Sequence, residues 1–198
     1  MNQEILQLTG GGDQLKRREL DFYPTPKNVT IALMDFLFQE DRIDKDFKIW
    51  EPACGNGAMS KVIESYGLSV YSSDIRDTGF GSPFLDFTTH KGDSNFDAII
   101  TNPPFNLSEK FIRVGLSKSR LVCMLLKSQY WHAKSRVKLF NEFTPCYILP
   151  LTWRPDFLEH ERKVGDKKGA PTMEVAWSVW IRGINKSCIY KPLLKPSI

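Results

Sequence analysis

The chain has 198 residues, of which 41% are hydrophobic and 25% charged, with 27 Lys and Arg against 23 Asp and Glu. That length suits one well-buried domain rather than two, and no apolar run approaches the roughly 20 residues of a bilayer-spanning helix. The start of the chain lacks the basic and apolar segments of a secretory leader, so a cytoplasmic location is expected, in a bacterial or phage-infected cell. Cys54, Cys123, Cys146 and Cys188 form no C-x-x-C pair, and His90, His132 and His160 have no metal-ligand spacing. Neither a disulfide scaffold nor a metal site is therefore expected.

The positive charge is unevenly placed. From Arg154 onward there are nine basic and five acidic residues, so the last quarter carries the whole net charge of +4. Such an end suits a polyanionic partner, and equally a solubilising tail.

Residues 1–20 are polar, with Gly10-Gly11-Gly12 and Lys16-Arg17-Arg18, and read as a flexible N-terminal arm. No repeat or low-complexity block follows, so 21–198 is expected to be a single domain. Over 28–39 the apolar residues Val29, Leu33, Phe36 and Leu37 recur at helical spacing and predict an amphipathic helix. A strand at 47–52 ends in a glycine-containing turn at 54–57, and 58–66 reads as a helix stopped by Gly67. Strands are expected at 69–75 and 96–101, then a helix at 107–116 that Ser108 can cap. A buried strand at 120–127, a helix at 133–143 and a strand at 146–153 follow. The polar, basic loop at 155–172 leads to a last strand at 173–182. Alternating strands and helices predict an α/β fold, a mostly parallel sheet with helices on both faces. No helix separates the final two strands, which makes the last one antiparallel.

Three features carry chemistry. The turn Glu51-Pro52-Ala53-Cys54-Gly55-Asn56-Gly57 lies between a strand and a helix, where glycines let backbone approach a nucleotide-like ligand. It has two glycines and lacks the third of a dinucleotide site, which disfavours an oxidoreductase. Asp74, about 20 residues on at the tip of the next strand, is placed to bind ribose hydroxyls. Asn102-Pro103-Pro104-Phe105 follows the strand 96–101 at the sheet edge where α/β ligands bind. An amide oxygen and a nearby backbone carbonyl can accept both hydrogens of a planar exocyclic amine and localise its lone pair. The two prolines stiffen those acceptors, and Phe105 offers a face on which a base can stack.

Together, Glu-Pro-Ala-Cys-Gly-Asn-Gly at 51–57 and Asn-Pro-Pro-Phe at 102–105 resemble the S-adenosylmethionine-dependent amino-methyltransferases acting on adenine N6 or cytosine N4. Phe22-Tyr23-Pro24-Thr25-Pro26 resembles the segment that holds the methionine end of the cofactor. The motif order is similar to that of gamma-class adenine-N6 DNA methyltransferases, especially small phage and prophage members. The resemblance covers about residues 21–183 and implies a Rossmann-like class I methyltransferase fold with a seven-stranded sheet. It also implies roles. Tyr23 and Thr25 would contact the methionine moiety, and Glu51, Ala53, Gly55 and Gly57 would floor the cofactor site. Asp74 would bind the ribose, Ile75 would pack on the adenine, and Asp86 with Phe87 would frame its far side. Asn102, Pro103, Pro104 and Phe105 would hold the target amine.

Gamma-class enzymes usually carry a separate target recognition domain, for which this chain has no room. Sequence reading is therefore expected to be weak, or to come from the 155–172 loop, the N-terminal arm or a specificity partner. An aromatic after the sixth strand often closes on the flipped base in this family. Phe157 is favoured over Trp153 for that role, with Arg154 and Lys163, Lys167 and Lys168 as phosphate contacts. DNA is the expected partner. RNA adenine-N6 or guanine-N2 methylation, protein glutamine methylation and a catalytically dead nucleic-acid-binding module remain open.

Overall fold

The computed structural model describes residues 23–92, 95–157, 173–184 and 187–197. The expected arm at 1–20, and Lys163, Lys167 and Lys168 of the basic loop, lie outside the described residues.

Seven short strands make one sheet: β1 (Lys48–Glu51), β2 (Ser69–Ser72), β3 (Ala98–Thr101), β4 (Leu121–Lys127), β5 (Tyr147–Pro150), β6 (Val175–Ile181) and β7 (Ile189–Tyr190). Their order is β2-β1-β3-β4-β6-β5-β7. β1 to β4 pair in parallel, so their carboxyl ends share one edge. β6 runs antiparallel to both β4 and β5, as its lack of a crossover helix requires. It is not the last strand, because β7 adds itself in parallel to the outer side of β5. A two-residue strand leaves no alternation to read in a sequence.

The helices are α1 (Lys27–Gln39), α2 (Ala58–Ser65), α3 (Ser108–Lys118) and α4 (Val137–Glu142). Successive strand residues point to opposite faces, and the chain uses this to build two cores. Ile49, Ala98, Ile100, Cys123 and Leu125 pack with Val29, Leu33 and Leu37 of α1 and Met59 and Ile63 of α2. Trp50, Ile99, Val122 and Met124 pack with Phe111 and Ile112 of α3 and Leu139 of α4 on the other face. The four apolar positions singled out in the first helix are all buried. Among the described residues no helix is long and apolar enough to cross a membrane.

Two local expectations are corrected. The helix expected over 133–143 is present as a 3₁₀ turn (Lys134–Arg136) that runs into α4, and an unexpected 3₁₀ turn (Ser128–His132) precedes it. Ala133, extended at ψ 133, separates that earlier turn from the helical stretch beginning at Lys134. Ser108 does not cap α3. It is the first helical residue, and its hydroxyl donates to the Phe105 carbonyl at 3.0 Å.

Candidate functional site

The turn after β1 is shaped by glycine. Gly55 has φ 51 and Gly57 φ 77, both left-handed, which a side chain would disfavour. A Cβ on Gly57 would also lie 2.4 Å from the Phe80 ring. Behind the turn, Asp74 is buried and its Oδ2 accepts the Gly55 N–H at 3.0 Å. Its Oδ1 accepts the Arg76 backbone N–H at 3.0 Å and Nε–H at 3.1 Å. The carboxylate expected to bind a ribose is thus already bonded to its own chain, on both oxygens.

Glu51, at the end of β1, is 2% exposed and accepts a hydrogen bond from Ser60 in the first turn of α2. The Ser60 and Ser72 hydroxyls lie 2.7 Å apart. Burial pushes the Glu51 carboxyl up to about 8, against the effect of Ser60 and with some help from the charge of Asp74. Burial likewise drives the neighbouring Cys54 thiol up to about 12, so at neutral pH it is no nucleophile.

Asn102 follows the last residue of β3, and its Nδ2 donates to the Thr25 hydroxyl at 3.2 Å. With the nitrogen so engaged, Oδ1 is the end left to accept. The Pro104 carbonyl is taken by the Leu107 N–H at 2.9 Å. The Pro103 carbonyl accepts no hydrogen bond among the described residues. The Lys127 ammonium sits 4.8 Å from the Phe105 ring centroid, an attraction to the electron-rich ring face.

An open cleft lies at the carboxyl edge of the sheet; Gly57, Asp74 and Ile75 are not among its lining residues. It brings together Tyr23, Thr25, Glu51, Ala53 and Gly55 with Asn102, Pro103, Pro104 and Phe105. Ile75 is 57% exposed, an unusual setting for a large apolar side chain. Sequence reasoning missed Cys54, Asn56, Met59 and Arg76 as lining residues, and Ser60 as the partner of Glu51. The position of Arg76 two residues after Asp74, where its side chain can return to that carboxylate, was the available signal.

Other expected site residues lie elsewhere. Asp86 is outside the cleft lining, and its Oδ1 accepts both the backbone N–H and the hydroxyl of Thr88 at 2.8 Å. Burial opposes its ionisation, but the Thr88 and Thr89 hydrogen bonds and the charge of Lys110 prevail and hold the carboxyl below its ordinary range. The Phe87 ring is buried against Trp50 and Phe111 and offers no face to a ligand. Phe157 is only 3% exposed and belongs to the larger of the two cores, so its ring is not placed to close on a base. Trp153, the alternative, is half-buried against the same core. Arg154, expected at a phosphate, pairs with Glu174 at 2.7 Å on the surface.

No protein-family model and no curated protein matches the sequence. Solved structures do match. A protein of Pyrococcus horikoshii, provisionally described as an RNA methyltransferase, aligns with TM-score 0.66 at 16% identity over 83% of this chain and 88% of that one. A protein of Listeria monocytogenes, provisionally described as a class I S-adenosylmethionine-dependent methyltransferase, aligns with TM-score 0.62 at 15% identity over 96% and 70%.

The fold is that of the class I methyltransferases.

A modification subunit of a type I restriction enzyme, so described provisionally, from Vibrio vulnificus aligns with TM-score 0.59 at 12% identity. The alignment covers 86% of this chain, which spans about half (47%) of that subunit. At such identities the likeness is one of fold. In the class I methyltransferase fold as built here, both motifs, 51–57 and 102–105, stand on the edge where the parallel strands end, the edge at which open α/β sheets bind ligands.

Proposed function

We propose that the protein is an S-adenosylmethionine-dependent methyltransferase that methylates an exocyclic amine, with adenine N6 in DNA as its substrate. One observation carries this reading. Asn102 and Pro103 both line the cleft that holds Gly55 and buried Glu51, and offer two acceptors: an amide oxygen whose nitrogen is held by Thr25, and a carbonyl that accepts no hydrogen bond among the described residues. An aromatic alcohol or a thiol would leave one of two such acceptors unpaired; an exocyclic amine brings two hydrogens.

The cleft fits the cofactor. A carboxyl as buried as Glu51 is costly to ionise without a cation, and the cofactor's ammonium group is one. The left-handed glycines let the backbone lie close to a ligand, and exposed Ile75 offers an apolar face to a flat ring. Bound there, S-adenosylmethionine supplies a methyl group activated on a sulfonium. Tyr23, Glu51, Ala53 and Gly55 are the residues that would hold it, with Asp74 turning from Arg76 to the ribose.

The chain's own groups then do the rest. Asn102 Oδ1 and the Pro103 carbonyl accept the two amine hydrogens and pull the nitrogen lone pair out of conjugation with the ring. Pro103 and Pro104 keep those acceptors from drifting. Phe105 stacks on the base, which has left its duplex partner to reach the cleft. After transfer the nitrogen carries an acidic proton that passes to water, so no strong base is needed. The net charge of the last quarter, +4 from Arg154 onward, supports a nucleic-acid substrate.

RNA is the second reading, favoured by the Pyrococcus horikoshii neighbour, whose description names RNA and whose length this chain nearly matches. The test is to incubate the protein with methyl-deuterated cofactor and, separately, duplex DNA, single-stranded DNA and total RNA, then digest to nucleosides for mass spectrometry. Label on N6-methyldeoxyadenosine supports the DNA reading, and label confined to RNA replaces it with the RNA one. Label on neither, in protein that binds the cofactor, contradicts a nucleic-acid substrate.

A further inference from the structure

We infer that Thr25 is a positioning residue for Asn102: its hydroxyl fixes which end of the Asn102 amide faces the substrate amine. The inference rests on the reading that Asn102 holds that amine.

A carboxamide has one accepting and one donating end of nearly the same shape, and a half-turn about its last bond exchanges them. Only the oxygen can hold an amine hydrogen; the nitrogen would set donor against donor. Something must therefore select the rotamer. Among the described residues the Asn102 Nδ2–H···Oγ1 bond to Thr25, at 3.2 Å, is the one hydrogen bond of the amide, and it joins residues 77 positions apart. Thr25 is 6% exposed, so water does not readily stand in for its hydroxyl.

The backbones of both partners are restrained in the same way. Thr25 precedes Pro26 and Asn102 precedes Pro103, and a residue before proline is excluded from the helical region. Thr25 also follows Pro24, and α1 begins just after Pro26. Two stiff segments, one anchored to α1 and one to the end of β3, thus present hydroxyl and amide to each other with little freedom to separate. A valine at position 25 would fill the same space and leave the amide free to turn. The segment resembling a methionine-binding motif so acquires a second duty: it aligns the acceptor for the substrate.

The test compares Thr25→Val, Thr25→Ser and Asn102→Ala in the full chain, with turnover on an adenine-containing DNA substrate, substrate KM, cofactor Kd by calorimetry and melting temperature. Because Thr25 also lies in the proposed cofactor segment, turnover is read at saturating cofactor; there Thr25→Val should lower kcat by about 10- to 100-fold, beyond any change in cofactor Kd and with melting temperature nearly unchanged, and Thr25→Ser should restore most of the loss. Independently of activity, one Asn102 side-chain N–H should be slow to exchange with solvent in the free protein, and Thr25→Val should remove that protection. Full turnover in Thr25→Val, or a loss seen only as weaker cofactor binding, would overturn the inference and leave the proposed function standing. Full turnover in Asn102→Ala would instead overturn the function on which the inference rests.

Discussion

Glu51 and Ser60 share a hydrogen bond in a buried setting, tying the end of β1 to the first turn of α2. The carboxyl accepts from the Ser60 hydroxyl and, among the described residues, has no ion-pair partner. Burial raises its pKa to about 8, so near neutrality the ligand-free protein keeps it mostly protonated.

An ammonium group arriving beside Glu51 favours the ionised form. Affinity for S-adenosylmethionine should therefore climb as pH rises from about 6 toward about 8, where the carboxyl ionises unaided. Glu51→Gln should bind more weakly and lose the slope. Calorimetry across that range reads both, and a flat profile in the unmodified protein would remove Glu51 from the cofactor site.

The same shift acts on stability. Unfolded, Glu51 releases its proton near the ordinary 4.5; folded, it keeps it up to about 8. The folded state binds more protons between those values, so stability is fully present below the lower one, falls as pH rises through the window, and levels off above it. The slope is at most about 1.4 kcal/mol per pH unit. Glu51→Gln, neutral throughout, should melt with the unmodified protein near the lower pH and above it near the higher one.

Gly57 makes the turn after β1 depend on one atom. Gly57→Ala places a Cβ at φ 77 and 2.4 Å from the Phe80 ring. The left-handed backbone alone costs about 1–2 kcal/mol, and the clash adds to it. Phe80→Ala in the same chain should recover the steric part and leave the backbone part, as a denaturation series would show.

Phe157 and Phe105 should separate cleanly under mutation. Phe157→Ala empties a core position and should cost about 3–5 kcal/mol of stability, with KM little changed in the protein that remains folded. Phe105→Ala, at the half-buried cleft wall, should spare stability and raise substrate KM. If Phe157→Ala instead impaired substrate binding at full stability, its assignment to the core would be wrong.

What could be read from the sequence follows from how local each signal is. The spacing of Val29, Leu33, Phe36 and Leu37 marks α1 because one helix face repeats every three or four residues, and all four are buried. The turns at 51–57 and 102–105 are legible because glycine permits left-handed backbone that other residues avoid and proline fixes its own φ wherever it occurs. Phe157 was not legible: an aromatic shortly after a strand turns inward or outward according to what lies beneath, and here it joins the larger core. Phe87 was lost the same way, to Trp50 and Phe111. The contact of Thr25 with Asn102 has no local signature, since it depends on how α1 seats against the sheet.

The central claim is that the Asn102 amide holds an amine for methylation beside a bound cofactor. The most direct measurement is methyl transfer from deuterated S-adenosylmethionine to DNA by the unmodified protein and by Asn102→Ala, each with its cofactor Kd. We predict that the substitution lowers transfer by at least about 100-fold, because one of the two acceptors is gone, while cofactor affinity stays within about threefold, a change of well under 1 kcal/mol. Equal transfer by the two proteins would contradict the claim.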